Sequence, residues 1–593
     1  MILQNLVFPK IAICTEEKMF FKKKRIDSYY NYENNVLMIA EGDIVQFNTY
    51  FNAFLADKWG KYTSIDNCNL WIKGTGAGIL NIYRYSSMNG KELVLSKNIT
   101  LSSTGEYYNV CAKQDEIYGI IYWEYEAHEK STILKSYFST STDYKNEVSL
   151  GVVITTFKRE KYVERNMNSL KKYLFNEIDD RSFHIFIIDN GQTLQLPADN
   201  RITVIPNKNY GGAGGFGRGM LEIYKQKKYN HVIFCDDDAV YEPEAFLRLF
   251  NFLSYAKDSQ LCVGGSMLKL DNPSFIYESG AKYSNLEGRP NKNMLDMTEF
   301  NSLVNFNHEE YATYHAWWFF CCPITCVQTL GFPIPIFFQM DDVEYSLRLR
   351  ENNYITTDLN GICVWHESFQ RKSSTATNYY WVRNEMIVSS LHNDISTAHY
   401  IKWFTKYFIQ SLFVYRYDRA NMMLLGAKDA LKGPEFLMKL DPSIYHQKLL
   451  KRQVDKPHDI DKDEIILEKY DRPVRNDKIK KFFMSISLNG MLLPSFLRNK
   501  GKSVTDKGYV IEPLQGFRAS ANFRKETILY VDIERMSGFI VHRDPKKFWK
   551  LLSKMIKVDC EIFYKFSSRK KAYRAAFAKM KSLDFWENYV GKE

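Results

Sequence analysis

Two hydrophobic rhythms divide the chain. Up to about residue 147, short apolar runs alternate, or nearly alternate, with polar residues, as in Cys68-Asn-Leu-Trp-Ile-Lys73, Gly78-Ile-Leu-Asn-Ile-Tyr-Arg84 and Ile117-Tyr-Gly-Ile-Ile-Tyr-Trp123. The stretches Gly74-Thr-Gly-Ala-Gly78 and Ser102-Ser-Thr-Gly105 read as turns between them. A period of two, punctuated by turn residues, marks half-buried strands. Residues 1–147 are therefore expected to form a small β-sandwich or barrel.

From Glu147 the rhythm changes to alternating strands and helices. Val152–Phe157, Phe183–Ile188, Ile202–Ile205 and His231–Cys235 read as buried strands. Glu160–Leu174, about Gly215–Tyr224 and Pro243–Tyr255 read as helices, the last with proline in its first turn. Repeated strand–helix units predict an α/β domain over 148–385, with a mostly parallel sheet and its ligand at the carboxyl ends of the strands. After about Thr375 the pattern becomes helical and more charged, giving a third, helical and basic region over 386–593. Within it, Asp544–Lys557 predicts an amphipathic helix with Phe548, Leu551, Leu552, Met555 and Ile556 on one face and lysines mainly on the other. Such a helix can pack on the protein or lie on an anionic membrane surface.

Ala316–Phe338 is apolar and long enough to span a bilayer, but Pro323, Gly331, Pro333 and Pro335 would interrupt a helix. A buried strand, turn and loop is expected there. A chain of 593 residues exceeds what one core organises, consistent with several domains. The net charge of +11 is concentrated late: from Arg543 onward, 14 Lys/Arg face 6 Asp/Glu. That balance suits a polyanion, acidic lipid or charged glycan. No recognised nucleic-acid module accompanies it, so a nucleic-acid partner is not expected. The 10 cysteines lack a CxxC pair, and the start of the chain lacks an export signal, so a reducing cytoplasm is expected.

The chemistry-bearing residues lie between these features. Phe234-Cys-Asp-Asp-Asp-Ala239 ends a predicted strand, and three adjacent carboxylates need a compensating charge. A divalent cation supplies it; in extended chain Asp236 and Asp238 point the same way and can share one ion, while Asp237 faces elsewhere. The bland alternative is an acidic loop whose Asp238 caps the next helix. Asn207-Lys-Asn-Tyr-Gly-Gly-Ala-Gly-Gly-Phe-Gly-Arg-Gly219 holds six glycines in nine residues, which lets backbone approach a phosphate closely. It formally contains a dinucleotide fingerprint, but the Asn-Lys-Asn-Tyr insertion and the triple aspartate argue against that reading. Asp341, Asp342 and Glu344 open a predicted helix, where a carboxylate can serve as general base or complement the helix dipole. His366, at a strand end, can complete a metal site. Trp317 and Trp318 can floor a sugar site or belong to the core.

In this order the motifs resemble the GT-A fold of family-2 glycosyltransferases, with Thr155–Arg159 as first loop and Asp189 as nucleotide-side acid. Asn209–Phe216, the Asp236–Asp238 triplet, Trp317-Trp318, Asp341–Tyr345 and Trp365-His366 are similar to those of the polymerising galactofuranosyltransferases of bacterial galactan. Phe51–Ala56, Lys58-Trp59, Gly74–Gly78, Tyr379–Asn384 and Lys432–Pro434 extend the resemblance to both ends. It implies a UDP-galactofuranose donor and a polysaccharide or lipid-linked glycan acceptor. Mn²⁺ or Mg²⁺ would sit on Asp236, Asp238 and His366. Asp342 would be general base in one inverting displacement, with Asp341 in support. Trp317, Trp318, Glu278 and Glu344 would contact sugar. Thr155, Arg159, Asp189, Asn209, Gly211, Gly212, Gly214, Gly215 and Asp237 would line the donor side, although Lys158 and Arg159 depart from the family's first-loop pattern. The resemblance also implies a homo-oligomer docked on the inner membrane face. Two alternatives remain: a family-2 transferase for rhamnose or galactopyranose, and an inactive glycan-binding or assembly protein.

Overall fold

The computed structural model describes residues 1–367, 374–392, 395–460, 478–497, 510–513, 519, 522–532 and 535–591. The front of the chain is a ten-stranded antiparallel sheet system built around one strand, Cys68–Ser86. Its first half pairs with Ser131–Ser139 and Glu106–Cys111, its second with Gly90–Leu101 and Ile120–Ala127. Gly74–Gly78, expected as a turn, is strand interior. A Cβ on Gly74 would lie 2.1 Å from the Thr132 carbonyl oxygen, and one on Gly78 2.2 Å from that of Glu126. Gly76, at φ +105, lets the strand change partners between the two halves. The glycines therefore serve close strand approach and a bend rather than a reversal.

The centre is a seven-stranded sheet in the order Ile202–Pro206, Phe183–Asp189, Leu150–Thr156, His231–Asp236, Phe319–Pro323, Leu261–Gly264, Ile355–Thr357. Only Phe319–Pro323 runs against its neighbours. The helices Glu160–Tyr173, Gly211–Gln226 and Pro243–Ser254 follow three of the strands. This is the GT-A arrangement. Its five inner strands are almost wholly buried, as strands covered on both faces must be, while the edge strands Ile202–Pro206 and Ile355–Thr357 are partly exposed.

The glycine-rich helix begins at Gly211, four residues earlier than its expected start, so the glycines lie inside it. Glycine is a poor helix former, and here contact decides. A Cβ would lie 2.1 Å from Tyr210 at Gly214, 2.2 Å from Thr155 at Gly215, 2.2 Å from Trp586 at Gly217 and 2.2 Å from Val153 at Gly219.

A second, four-stranded sheet joins Val240–Tyr241, Cys363–His366, Ser266–Lys269 and Ile276–Glu278. Behind it come the helices Thr377–His392, Thr397–Phe413, Tyr417–Ala430 and the long Pro545–Met580. The expected boundary at 385/386 falls inside Thr377–His392, whose residues are buried on both sides of it. A small sheet containing Thr527–Asp532 and Ser537–His542 interrupts the helical region. Pro545–Met580 buries Phe548, Leu551, Met555, Val558, Ile562 and Phe566, while Ile556, expected on the apolar face, is exposed. Ala316–Phe338 forms the buried strand Phe319–Pro323, a short helix Cys326–Leu330 and a loop. Among the described residues no helix is long and apolar enough to cross a membrane.

Candidate active site

A cavity of about 970 Å³ opens where the central strands end. Thr155, Asn209, Gly211, Gly212, Asp236, Asp237, Trp317, Trp318, Asp341, Asp342 and His366 all line it. Residues far apart in sequence thus meet at the edge that a parallel sheet reserves for ligands.

Register brings the imidazole to the carboxylates. The strand His231–Asp236 delivers the triplet, and Val240–Tyr241, directly after it, pairs with Cys363–His366. His366 Nε2 lies 3.0 Å from Asp238 Oδ1 and 3.4 Å from Asp236 Oδ2. One ligand atom from each of the three residues falls within 4.8 Å of the other two. His366 Nδ1 donates to the Glu367 carbonyl at 2.7 Å, which aims Nε2 at the carboxylates. That outer bond is the usual device for orienting a ligating imidazole, and two carboxylates plus an imidazole suit a divalent cation of the Mn²⁺ type. Burial opposes a charged His366, yet its bonds to Asp236 and Asp238 outweigh this and raise it to about 9.

Asp237 turns aside as expected: Arg159 Nη1 lies 2.8 Å from both Asp237 Oδ1 and Asp238 Oδ2. Burial, then the charge of Asp236, pushes Asp237 up to about 6 against the pull of Arg159. Arg159 and His366 together offset part of the triplet's negative charge.

Asp341 and Asp342 face the same cavity from the first turn of Asp341–Glu351. Burial and the neighbouring Asp342 raise Asp341 to about 8; burial raises Asp342 to about 6. The loop before them is strained: Phe337, Gln339 and Met340 all take positive φ, at 73, 66 and 68°. What holds it is Asn384, whose Nδ2 donates toward the carbonyls of Ile336, Phe338 and Gln339 at 3.1, 2.9 and 2.9 Å. Arg383 adds a 2.6 Å bond to Ile336. The glycine helix is tied in as well, since Ala213 N–H donates to the Phe337 carbonyl at 2.9 Å. Asn384 and Arg383 were not among the expected site residues, because bonds to carbonyls leave no trace in a sequence pattern.

Several expected residues are placed otherwise. Asp189 does not line the cavity; its carboxylate accepts the N–H groups of Gly191, Thr193 and Leu194 at 2.9, 2.8 and 2.7 Å and so shapes its own turn. Asn190 faces the cavity instead. Gly214 and Gly215 lie inside the helix and serve packing. Glu344 is fully buried behind the site, bonded to Arg348 at 2.7 Å and His392 at 2.9 Å. Those cations outweigh burial and lower its pKa. A carboxylate so engaged cannot reach a sugar. Glu278 is also buried, and burial, with Asp342 nearby, lifts its pKa well above the carboxylate range. Trp317 packs between Phe234, Phe216 and Tyr345, and Trp318 Nε1 donates to Gly265, so both indoles are mostly core with one side on the cavity.

Residues 3–141 match the family described as Galactofuranosyltransferase 2 N-terminal, and residues 151–310 match Glycosyl transferase family 2. Galactofuranosyltransferase GlfT2 of Mycolicibacterium smegmatis is 24% identical over 93% of this chain and 90% of its own length. The chain thus carries a family-2 glycosyltransferase domain behind a front region of the galactofuranosyltransferase 2 N-terminal type. GlfT2 of Mycobacterium tuberculosis is 26% identical over 68% of each chain. Among solved structures, GalNAc-T7 is similar over 43% of this chain and 49% of its own, at 13% identity and a TM-score of 0.32, which is too slight to argue from. The glycosyltransferase match ends at residue 310, so Asp341, Asp342, His366 and Asn384 lie beyond it.

Proposed function

We propose that this protein transfers galactofuranose from UDP-galactofuranose to a growing polysaccharide or lipid-linked glycan, inverting the anomeric centre in one displacement. The observation that carries the reading is the meeting, in one cavity, of the Asp236–Asp238–His366 cluster, the amino end of the glycine helix and the Asp341–Asp342 pair. The names of the two mycobacterial relatives support the choice of sugar.

In this reading Asp236, Asp238 and His366 would hold Mn²⁺ or Mg²⁺, which would supply charge stabilisation to the diphosphate leaving group. The first N–H groups of Gly211–Gln226 face the phosphates. Arg159, paired with both Asp237 and Asp238, would keep Asp237 as its partner where Asp238 serves as a ligand. Asp342 takes the proton of the attacking acceptor hydroxyl. Asp341, raised further, keeps its own proton near neutrality and spares Asp342 a second adjacent charge. The exposed Trp549, Ile556 and Phe563 beside the lysines of Pro545–Met580 support peripheral contact with the inner face of the cell membrane.

The deciding experiment is UDP release by the purified protein across a panel of sugar nucleotides with a galactoside acceptor and Mn²⁺. UDP-galactofuranose is expected to turn over, and a chelator to stop it. Turnover with UDP-galactopyranose or a rhamnose nucleotide instead would displace the donor assignment. Undiminished turnover by Asp238→Ala would remove the metal mechanism.

A further inference from the structure

The turn that carries the acid triplet is held from outside by side chains that no motif named. It runs from the end of His231–Asp236 to Val240–Tyr241 and crowds three adjacent carboxylates, whose mutual repulsion favours a wider arrangement. Three side chains close on its backbone carbonyls. The Tyr241 hydroxyl donates to the Asp236 carbonyl at 2.6 Å. Asn166 Nδ2 donates to the carbonyls of Asp237 and Ala239 at 3.0 and 2.8 Å, and Arg165 Nη2 to that of Ala239 at 2.9 Å.

Asn166 stands where an apolar residue belongs. The buried residues Val163, Asn166, Met167 and Leu170 of Glu160–Tyr173 follow the spacing of a core-facing helical stripe. Asparagine is a weaker helix former than leucine or methionine, and a buried amide is costly unless it is bonded. Asn166 is 2% exposed, and both acceptors of its Nδ2 lie in the acid turn rather than in its own helix. Its Oδ1 accepts from Arg165 Nη2 at 3.2 Å, so the two neighbours brace each other.

Tyr241 makes the second link. Its backbone pairs with Val364 in the ladder that carries His366, while its hydroxyl holds the carbonyl of Asp236. This buried residue, 2% exposed, therefore ties the imidazole strand and the first carboxylate into one unit. Neither Asn166 nor Tyr241 lines the cavity, so whatever either does for a ligand there passes through the turn.

We propose that Asn166 and Tyr241 are positioning residues for the divalent cation: by fixing the carbonyls of residues 236–239 they keep Asp236 and Asp238 at ligand spacing to His366 in the metal-free protein. The proposal rests on the reading of Asp236, Asp238 and His366 as the cation's ligands, but not on the sugar that is transferred.

The test is titration of the full chain with Mn²⁺ alone, the free ion read by electron paramagnetic resonance, for the parent, Asn166→Ala and Tyr241→Phe. Tyr241→Phe removes one oxygen atom and keeps the ring and the strand pairing, so it decides the matter even where the alanine variant does not fold. The Kd for Mn²⁺ is expected to rise about tenfold or more in each folded variant, the effect usual for groups that orient metal ligands. Urea unfolding of the metal-free chains separates the competing role. A variant that loses stability but binds Mn²⁺ within twofold of the parent has lost packing only, and that result removes the residue concerned from the proposal. Parental affinity in Tyr241→Phe and in every folded variant at position 166 overturns it. A parent that binds no Mn²⁺ removes the cation reading and the positioning role together, whereas equal binding by parent and variants removes the positioning role alone.

Discussion

Asp342 is the side chain on which the proposed chemistry turns, and its environment makes a prediction with a definite sign. Its carboxyl is raised by burial to about 6, so the proton leaves only as pH rises through that value. A base must be unprotonated to act, so kcat/KM is expected to fall tenfold per pH unit below about 6 and to level off above it. Asp342→Asn should lower kcat by about 10²–10⁴-fold, the span typical of a lost general base. An acid limb centred below pH 5, or an asparagine variant within tenfold of the parent, would exclude this role. The triplet, the Asp pair and His366 could all be read from the sequence, because clustered carboxylates at element ends have few structural uses. Asp189 and Glu344 could not be read correctly. Their carboxylates are consumed by N–H groups in one case and by Arg348 and His392 in the other, and no spacing rule reveals such partners.

Two elements carry the geometry, and both were harder to read. Four central strands and the buried one within Ala316–Phe338 were plain from their apolar runs, whereas Leu261–Gly264 and Ile355–Thr357, only four and three residues long, were too short to read. The glycine helix was misjudged at its start because glycine argues against helix, whereas close packing argues for glycine and wins. Gly217→Ala tests that balance. Alanine gains about 1 kcal/mol in a helix over glycine, but its methyl would sit 2.2 Å from the Trp586 ring. Trp586 is fully buried and its indole N–H is bonded to Pro333 at 2.9 Å, so it cannot move aside. Net destabilisation of about 1–3 kcal/mol is expected from overpacking, measured by urea unfolding, with Trp586→Leu easing the clash. Stability equal to the parent would show the ring to be free. The loop Phe337–Met340 makes the second case. Asn384→Ala removes the donor shared by three of its carbonyls, so the Asp pair should lose its placement. The expectation is a fall in kcat of about a hundredfold, as for reacting groups misplaced by an ångström, with the metal affinity, read by Mn²⁺ titration, unchanged. Loss of metal binding with activity would mean a collapsed site instead.

Over the whole molecule, the front sheets and the central sheet are one body, although their rhythms in sequence differ. A single hydrophobic cluster runs from Leu3 to Trp365 through both. Polar bonds cross the same seam: Arg248 donates to Phe51 at 2.9 Å, and Asn360 to Tyr50 and Ala53 at 2.8 Å each. At its centre Asp358 is bonded to Lys58 from the front region, to Lys292 at 2.6 Å and to Ser279 at 2.6 Å. Burial works against the Asp358 charge, but the two ammonium groups outweigh it and hold the carboxyl far below its usual range. Such a group stabilises the fold above its unfolded pKa, about 3.9, and that contribution fades only as pH falls toward the depressed folded value. Asp358→Asn would strand two buried ammonium groups, and breaking a buried ion pair from one side costs about 3–5 kcal/mol. The expected result is that loss in urea unfolding at pH 7, with Lys58→Met in the same chain recovering part of it, since one stranded charge is then gone. The same seam predicts that residues 148–593 expressed alone fail to fold: they would expose the inner face of the shared core and leave Asp358, Arg248 and Asn360 without their front-region partners. A soluble fragment of that span, melting at the temperature of the intact chain, would show that the two rhythms of the sequence correspond to two independent bodies after all.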